Sequence, residues 1–126
     1  MLKLSRGKIQ TSDHNKAILG AAKAAIAEGN HEGFLAFCAD GIEWTFLGDK
    51  TLKGKEAARQ WMAAAYIEPP KFRVANLIAE DDFLAALGDI TTKDEDGKED
   101  HYSYCDIWHF RGDKIVELRA FAIKSE

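Results

Sequence analysis

The chain has 126 residues, 46% hydrophobic and 30% charged, enough for one domain with a real core and an ordinary water-soluble balance. The net charge of −4, with basic residues scattered, leaves no footprint for nucleic acid, and no stretch approaches the roughly 20 apolar residues of a membrane span. The opening Met1-Leu2-Lys3-Leu4-Ser5-Arg6 is not followed by an apolar run and does not read as a secretory signal, and two cysteines, Cys38 and Cys105, make no disulfide framework, so a cytoplasmic setting is expected.

Residues 1–11 read as a loose arm. Ser12 or Asp13 is placed to cap a helix that runs to about Glu28 and ends at Gly29. Ile18, Ala22, Ala25 and Ile26, with Leu19 alongside, follow helical spacing. Asn30 can cap a second, short helix carrying Phe34, Leu35, Phe37 and Cys38. Ile42–Leu47 alternates as a strand does, and Gly48-Asp49 turns it. Gly54 opens a third helix with Glu56 in its first turn, where the helix dipole favours an acid. Its apolar stripe is Ala57, Ala58, Trp61, Met62 and Ala65, and Pro69-Pro70 stops it.

Strand patterns then take over. Phe72–Ala79 and Phe83–Thr92 are separated by Asp81-Asp82, and Asp94-Glu95-Asp96-Gly97 is a hairpin turn. A long strand over 99–110 follows, then a turn at Gly112, then Lys114–Ile123. Helices followed by a meander predict an α+β fold in one domain spanning 1–126, with a strongly curved antiparallel sheet wrapped around three N-terminal helices.

The most informative stretch is His101-Tyr102-Ser103-Tyr104-Cys105-Asp106-Ile107-Trp108-His109-Phe110. Alternation puts Tyr102, Tyr104, Asp106, Trp108 and Phe110 on one side. Four rings around one acid suggest a greasy wall with a single polar anchor, which suits a small-molecule pocket. Burial among rings would disfavour the ionised carboxylate and raise its pKa, letting it donate or accept a proton. The plainer alternative is a structural acid tied to Tyr104, a helix terminus or a backbone amide. Trp44, Phe46, Trp61, Tyr102 and Trp108 are the candidate ligand-binding walls, against the alternative of ordinary core. Tyr104 is the second catalytic candidate, since its hydroxyl could reinforce Asp106.

The order Glu28-Gly29-Asn30, Phe37-Cys38-Ala39-Asp40, the helix led by Gly54, and Asp106-x-Trp108-x-Phe110-Arg111-Gly112-Asp113-Lys114-Ile115 resembles the NTF2-like superfamily, nearest its SnoaL-like and ketosteroid-isomerase-like branch. The resemblance covers roughly residues 13–123. It implies a cone-shaped sheet closed at one end by helices, a pocket inside the cone, and a homodimer through the outer sheet face. Ketosteroid isomerase uses a carboxylate base together with a tyrosine and a protonated aspartic acid. Asp106 falls on the protonated-acid position, Phe46 on that of the base and Ala21 on that of the tyrosine, so two of the three roles are absent. The limonene-epoxide-hydrolase pattern wants an arginine two residues before the strand acid, where this chain has Tyr104. SnoaL-type cyclases are described as needing one acid in a greasy pocket, which Asp106 supplies.

Other chemistry finds little support. His101, Cys105 and His109 share the opposite strand face but stand about 13 Å apart from one to the next, too far for any two to share a metal without outside ligands. No serine elbow and no Gly-rich phosphate loop is present, so neither a cofactor nor a metal is expected. Glu117 and Arg119 share a face of the last strand and could pair. The expected function is a pocket for a small apolar molecule. It is read as a cofactor-free isomerase, cyclase or dehydratase on a carbonyl compound, with Asp106 as acid or base and Tyr104 as helper. The alternatives are a non-catalytic carrier, or a protein-interaction domain with a vestigial pocket.

Overall fold

The computed structural model describes residues 2–125, with side chains from residue 12 onward. In chain order the elements are α1 (Leu2–Ala27), α2 (His31–Leu35), β1 (Cys38–Phe46), β2 (Lys50–Lys53), α3 (Lys55–Ala65), β3 (Lys71–Glu80), β4 (Phe83–Lys93), β5 (Glu99–Arg111) and β6 (Lys114–Lys124). The expected α+β class holds, with three helices and a curved, unclosed sheet.

Helix α1 starts at Leu2, so Ser12 and Asp13 lie within it and do not cap it. From residue 2, the segment expected as a loose arm belongs to this helix, and its side chains lie outside the described residues. At the other end Gly29 adopts φ +79°, which only glycine takes without strain, and the amide of Asn30 donates to the Ala25 carbonyl at 2.8 Å. Asn30 then caps α2 by accepting from the Gly33 amide at 2.9 Å. Helix α2 is shorter than the pattern predicts. It ends at Leu35, and Cys38 opens β1. Helix α3 likewise closes at Ala65, ahead of Pro69-Pro70.

The six strands form one sheet ordered β2-β1-β6-β5-β4-β3. It is mixed, not antiparallel as expected, because β1 and β6 pair in parallel, with Trp44 opposite Leu118 and Phe46 opposite Ala120. A parallel pair needs a long connection. Here everything from β2 to the turn at Gly112 supplies it: the chain leaves β1, crosses to the far edge, and meanders back until β6 inserts beside β1. At the hairpin between β4 and β5, the Asp94 carboxylate accepts from the amides of Asp96 and Lys98, both at 2.9 Å.

Helix α1 packs over β3 and β4, and α3 over β1 and β2. The core between helices and sheet is built from Leu19, Ala22, Phe34, Trp44, Phe110 and Leu118, all buried. The other sheet face is open, and it carries Ile78, Phe83, Phe121 and Ile123 at 60, 47, 44 and 76% exposure. Glu117 and Arg119 do pair, at 3.4 Å.

Candidate functional site

The strand register explains where the sheet is hollow. Asp106 on β5 sits between Ala86 on β4 and Ala120 on β6. Tyr104 sits between Gly88 and Ala122. Small residues on both neighbouring strands leave space above the acid and the phenol. One turn of the alternation further on, Trp108 is flanked by Leu84 and Leu118, which fill the sheet. Gly88 has a further duty. A Cβ there would stand 2.0 Å from the Arg73 carbonyl oxygen and 3.0 Å from the Tyr104 hydroxyl, so only glycine lets β3 and the phenol approach.

The hollow is a cavity of about 430 Å³, a size common for small-molecule sites. Every wall residue expected from the sequence lines it: Trp44, Phe46, Trp61, Tyr102 and Trp108, along with Asp106 and Tyr104. Trp61 comes from α3 and joins the β1 rings, with centroids 4.9 Å from Trp44 and 4.7 Å from Phe46. Tyr66, just past α3, stacks edge-on against Trp61 at 5.1 Å and also lines the cavity.

The polar contents differ from the expectation in one respect. The Tyr104 hydroxyl is engaged by Lys23 of α1, whose Nζ donates to it at 3.4 Å. Lys23 is only 8% exposed. Its ammonium lies over the rings of Phe72 (4.1 Å), Tyr104 (4.7 Å) and Trp108 (5.8 Å), positions in which ring faces attract a cation. Sequence reading missed Lys23, as it missed Tyr66. The signal was present: Leu19, Lys23 and Ile26 fall at helical spacing on the buried stripe, with Ala22 beside them. Ala21, the position that the resemblance set against a catalytic tyrosine, is exposed.

These groups shift one another. Asp106 is half-buried and lines the cavity. Burial pushes its pKa up to about 6, and the Lys23 charge limits the rise. Burial brings Lys23 down to about 8, against the pull of Asp106. Tyr104 is pushed up to about 12, by burial first and then by Asp106 and Asp89. Tyr66 is raised by burial and by Asp106. An acid and an amine that both titrate near neutrality, in one ring-walled space, can hold and move protons.

Asp49 also lines the cavity, whereas His101 and His109 lie outside it. His101 shares a hydrogen bond of 2.9 Å with Thr91, and His109 stacks on Phe83 at 4.3 Å. Among the described residues no three of His, Cys, Asp and Glu gather as a metal site would require. The Trp44 and Trp108 indole N–H groups are buried without a hydrogen-bond partner among the described residues, an arrangement that costs free energy.

Residues 21–118 match the SnoaL-like domain family, and the chain belongs to that family. The fold is similar to that of several solved structures. One is an NTF2-like protein of unknown function from Cytophaga hutchinsonii ATCC 33406, at 24% identity, TM-score 0.70, covering 86% of this chain and 99% of that one. Another is a candidate SnoaL-like polyketide cyclase from Jannaschia sp. CCS1, at 14% identity, TM-score 0.76, covering 88% and 86%. A third is TerC, co-crystallised with polyporic acid, at 16% identity, TM-score 0.74, covering 89% and 92%. A search of the curated proteins finds no match.

Proposed function

We propose that the protein binds a small, largely apolar, carbonyl-bearing molecule in this cavity and acts on it by acid–base chemistry without a cofactor, as an isomerase, cyclase or dehydratase. The observation that carries this reading is Asp106, a carboxyl group raised to about 6 on the wall of a ring-lined cavity of about 430 Å³. Near neutral pH such a group exists in both protonation states and can pass a proton in either direction. Tyr104, raised to about 12, stays neutral and can donate a hydrogen bond to a substrate oxygen. Trp44, Phe46, Trp61, Tyr102 and Trp108 would supply the apolar contact area. Support also comes from the family, from the cyclase designation of the Jannaschia protein and from the polyporic acid held with TerC.

A second reading, a carrier that holds the same ligand without turnover, is favoured by one observation. Phe46, and not a carboxylate, stands on the cavity wall where the resemblance places a base. The proposal includes a homodimer through the open sheet face, for which the exposed Ile78, Phe83, Phe121 and Ile123 provide apolar area. It also includes a reducing, cytoplasmic setting, to which the free thiols of Cys38 and Cys105 are suited.

The test is a thermal-shift screen against polycyclic ketones, terpenoids, aromatic acids and short acyl compounds. A ligand that raises the melting temperature is then tested on Asp106→Asn. An enzyme keeps affinity and loses turnover in the variant, whereas a carrier loses affinity. No stabilising ligand in any class would remove the small-molecule reading.

A further inference from the structure

We propose that Lys23 is a carbonyl-capturing amine, whose Nζ condenses with the aldehyde or ketone group of a ring-bearing ligand in the cavity to form an imine. The proposal rests on the reading of the cavity as a small-molecule site and adds a covalent step to it.

The placement of the side chain is unusual for lysine. A surface lysine buries its stem and keeps its ammonium in water. Here the whole side chain is inside, 8% exposed, with Nζ over the Phe72 ring and 3.4 Å from the Tyr104 hydroxyl, and it lines the cavity. An amine is nucleophilic only when unprotonated, and enclosure in an apolar pocket is one way proteins make a lysine so. Burial outweighs the attraction of Asp106.

The groups needed for the protons are in place. The neutral Nζ attacks the carbonyl carbon, a C–N bond forms, and the C=O π pair moves to oxygen, which takes a proton from Tyr104 or Asp106. Nitrogen returns a proton to the same pair, leaving a carbinolamine. A second protonation lets its hydroxyl leave as water while the nitrogen lone pair makes the C=N bond, and the resulting iminium gives its N–H proton back to the same pair. The sum is amine plus carbonyl giving imine plus water, with no oxidant or reductant. Hydrolysis reverses it, so capture and release can both occur.

The experiment traps the imine. The protein is incubated at pH 7 with benzaldehyde and sodium cyanoborohydride, and labelled sites are mapped by peptide mass spectrometry. Lys23 at about 8 presents on the order of 300-fold more free amine than a lysine at its ordinary value of 10.5. The expected result is one reduced adduct on Lys23, formed far faster than any on exposed lysines and absent from Lys23→Arg. The peptide map also separates Lys23 from the chain's α-amino group, which reacts at this pH, and it decides the matter in the wild type if the variant does not fold. Labels confined to other amines, or none, overturn the proposal. Benzyl alcohol, which keeps the ring and lacks the carbonyl, is run in parallel by thermal shift. Stabilisation by benzyl alcohol with Lys23 unlabelled removes the imine and leaves the pocket standing. Neither stabilisation nor labelling removes both.

Discussion

Lys23 and Tyr104 meet at 3.4 Å although 81 positions separate them in the chain, and their meeting joins the first helix to the floor of the sheet. Tyr104 can lie under the amine only because its register partner on β4 is Gly88. The site is thus set by three elements at once: a lysine on a buried helix stripe, a phenol on β5, and a missing side chain on β4.

Asp106 should make stability depend on acid. Its carboxyl titrates at about 6 in the folded chain against an ordinary 3.8, so the folded state holds a proton that the unfolded state has released. That contribution is whole below the unfolded value and is lost as the pH rises through about 6. Its upper bound is about 3 kcal/mol, lowered by water in the cavity. Lys23, at about 8, stays charged throughout this window and does not obscure the effect. Urea unfolding from pH 4 to 7 should show the wild type losing stability relative to Asp106→Asn. Parallel curves would mean that the carboxyl is not desolvated.

The two charges should sense each other. In Lys23→Met the charge that holds Asp106 down is gone, and the carboxyl should titrate above about 6. Carbon-13 NMR of the Asp106 carboxyl reads this directly, and an unmoved midpoint would show the pair to be uncoupled.

Filling the hollow should abolish binding and spare the fold. Ala120 faces Asp106 across the β5–β6 ladder. Ala120→Leu grows into open cavity, so its stability cost should be less than about 1 kcal/mol, while thermal stabilisation by any cavity ligand disappears. Retained binding would place the ligand elsewhere.

Gly88→Ala is the opposite case. The new Cβ meets the Arg73 backbone oxygen at 2.0 Å, so β3 or the Tyr104 ring must move. Loss of about 1–3 kcal/mol is expected by denaturant unfolding, and the Lys23–Tyr104 contact should be disturbed with it. A neutral substitution would show that β3 yields freely at its irregularity between Val74 and Asn76.

If the open sheet face joins two copies, a charge on it should separate them. Phe121→Asp puts a carboxylate on the exposed apolar face without touching the cavity. Sedimentation of wild type and variant should show a dimer and a monomer. A monomeric wild type removes the dimer.

Much of the site was legible because strand alternation is local. Tyr102, Tyr104, Asp106 and Trp108 follow a period of two, and once β5 is recognised their common face needs no knowledge of the rest of the chain. Lys23 was hidden for the converse reason. A lysine in a helix reads as solvent-facing unless its spacing to Leu19 and Ile26 outweighs its charge, and the rings that house it are far away in sequence. The parallel pairing of β1 with β6 was illegible too, because register between distant strands is decided by packing and not by either strand's own pattern. Strand β2 is four residues of exposed or half-exposed side chains and leaves no periodic signal.

The parallel pairing also sets an order of events in time. Strand β1 is made early, yet its neighbour on one side is the last strand, so Trp44 cannot meet Leu118 until nearly the whole described chain has been synthesised. Contacts this distant are slow to form. Until β6 inserts, the ring cluster of Trp44, Phe46 and Trp61 lacks a wall and Asp106 lacks Ala120 beside it. The cavity is therefore complete only once β6 has docked. A half-made chain would show greasy rings to its surroundings, which makes the interval before β6 docks the time of greatest risk of aggregation.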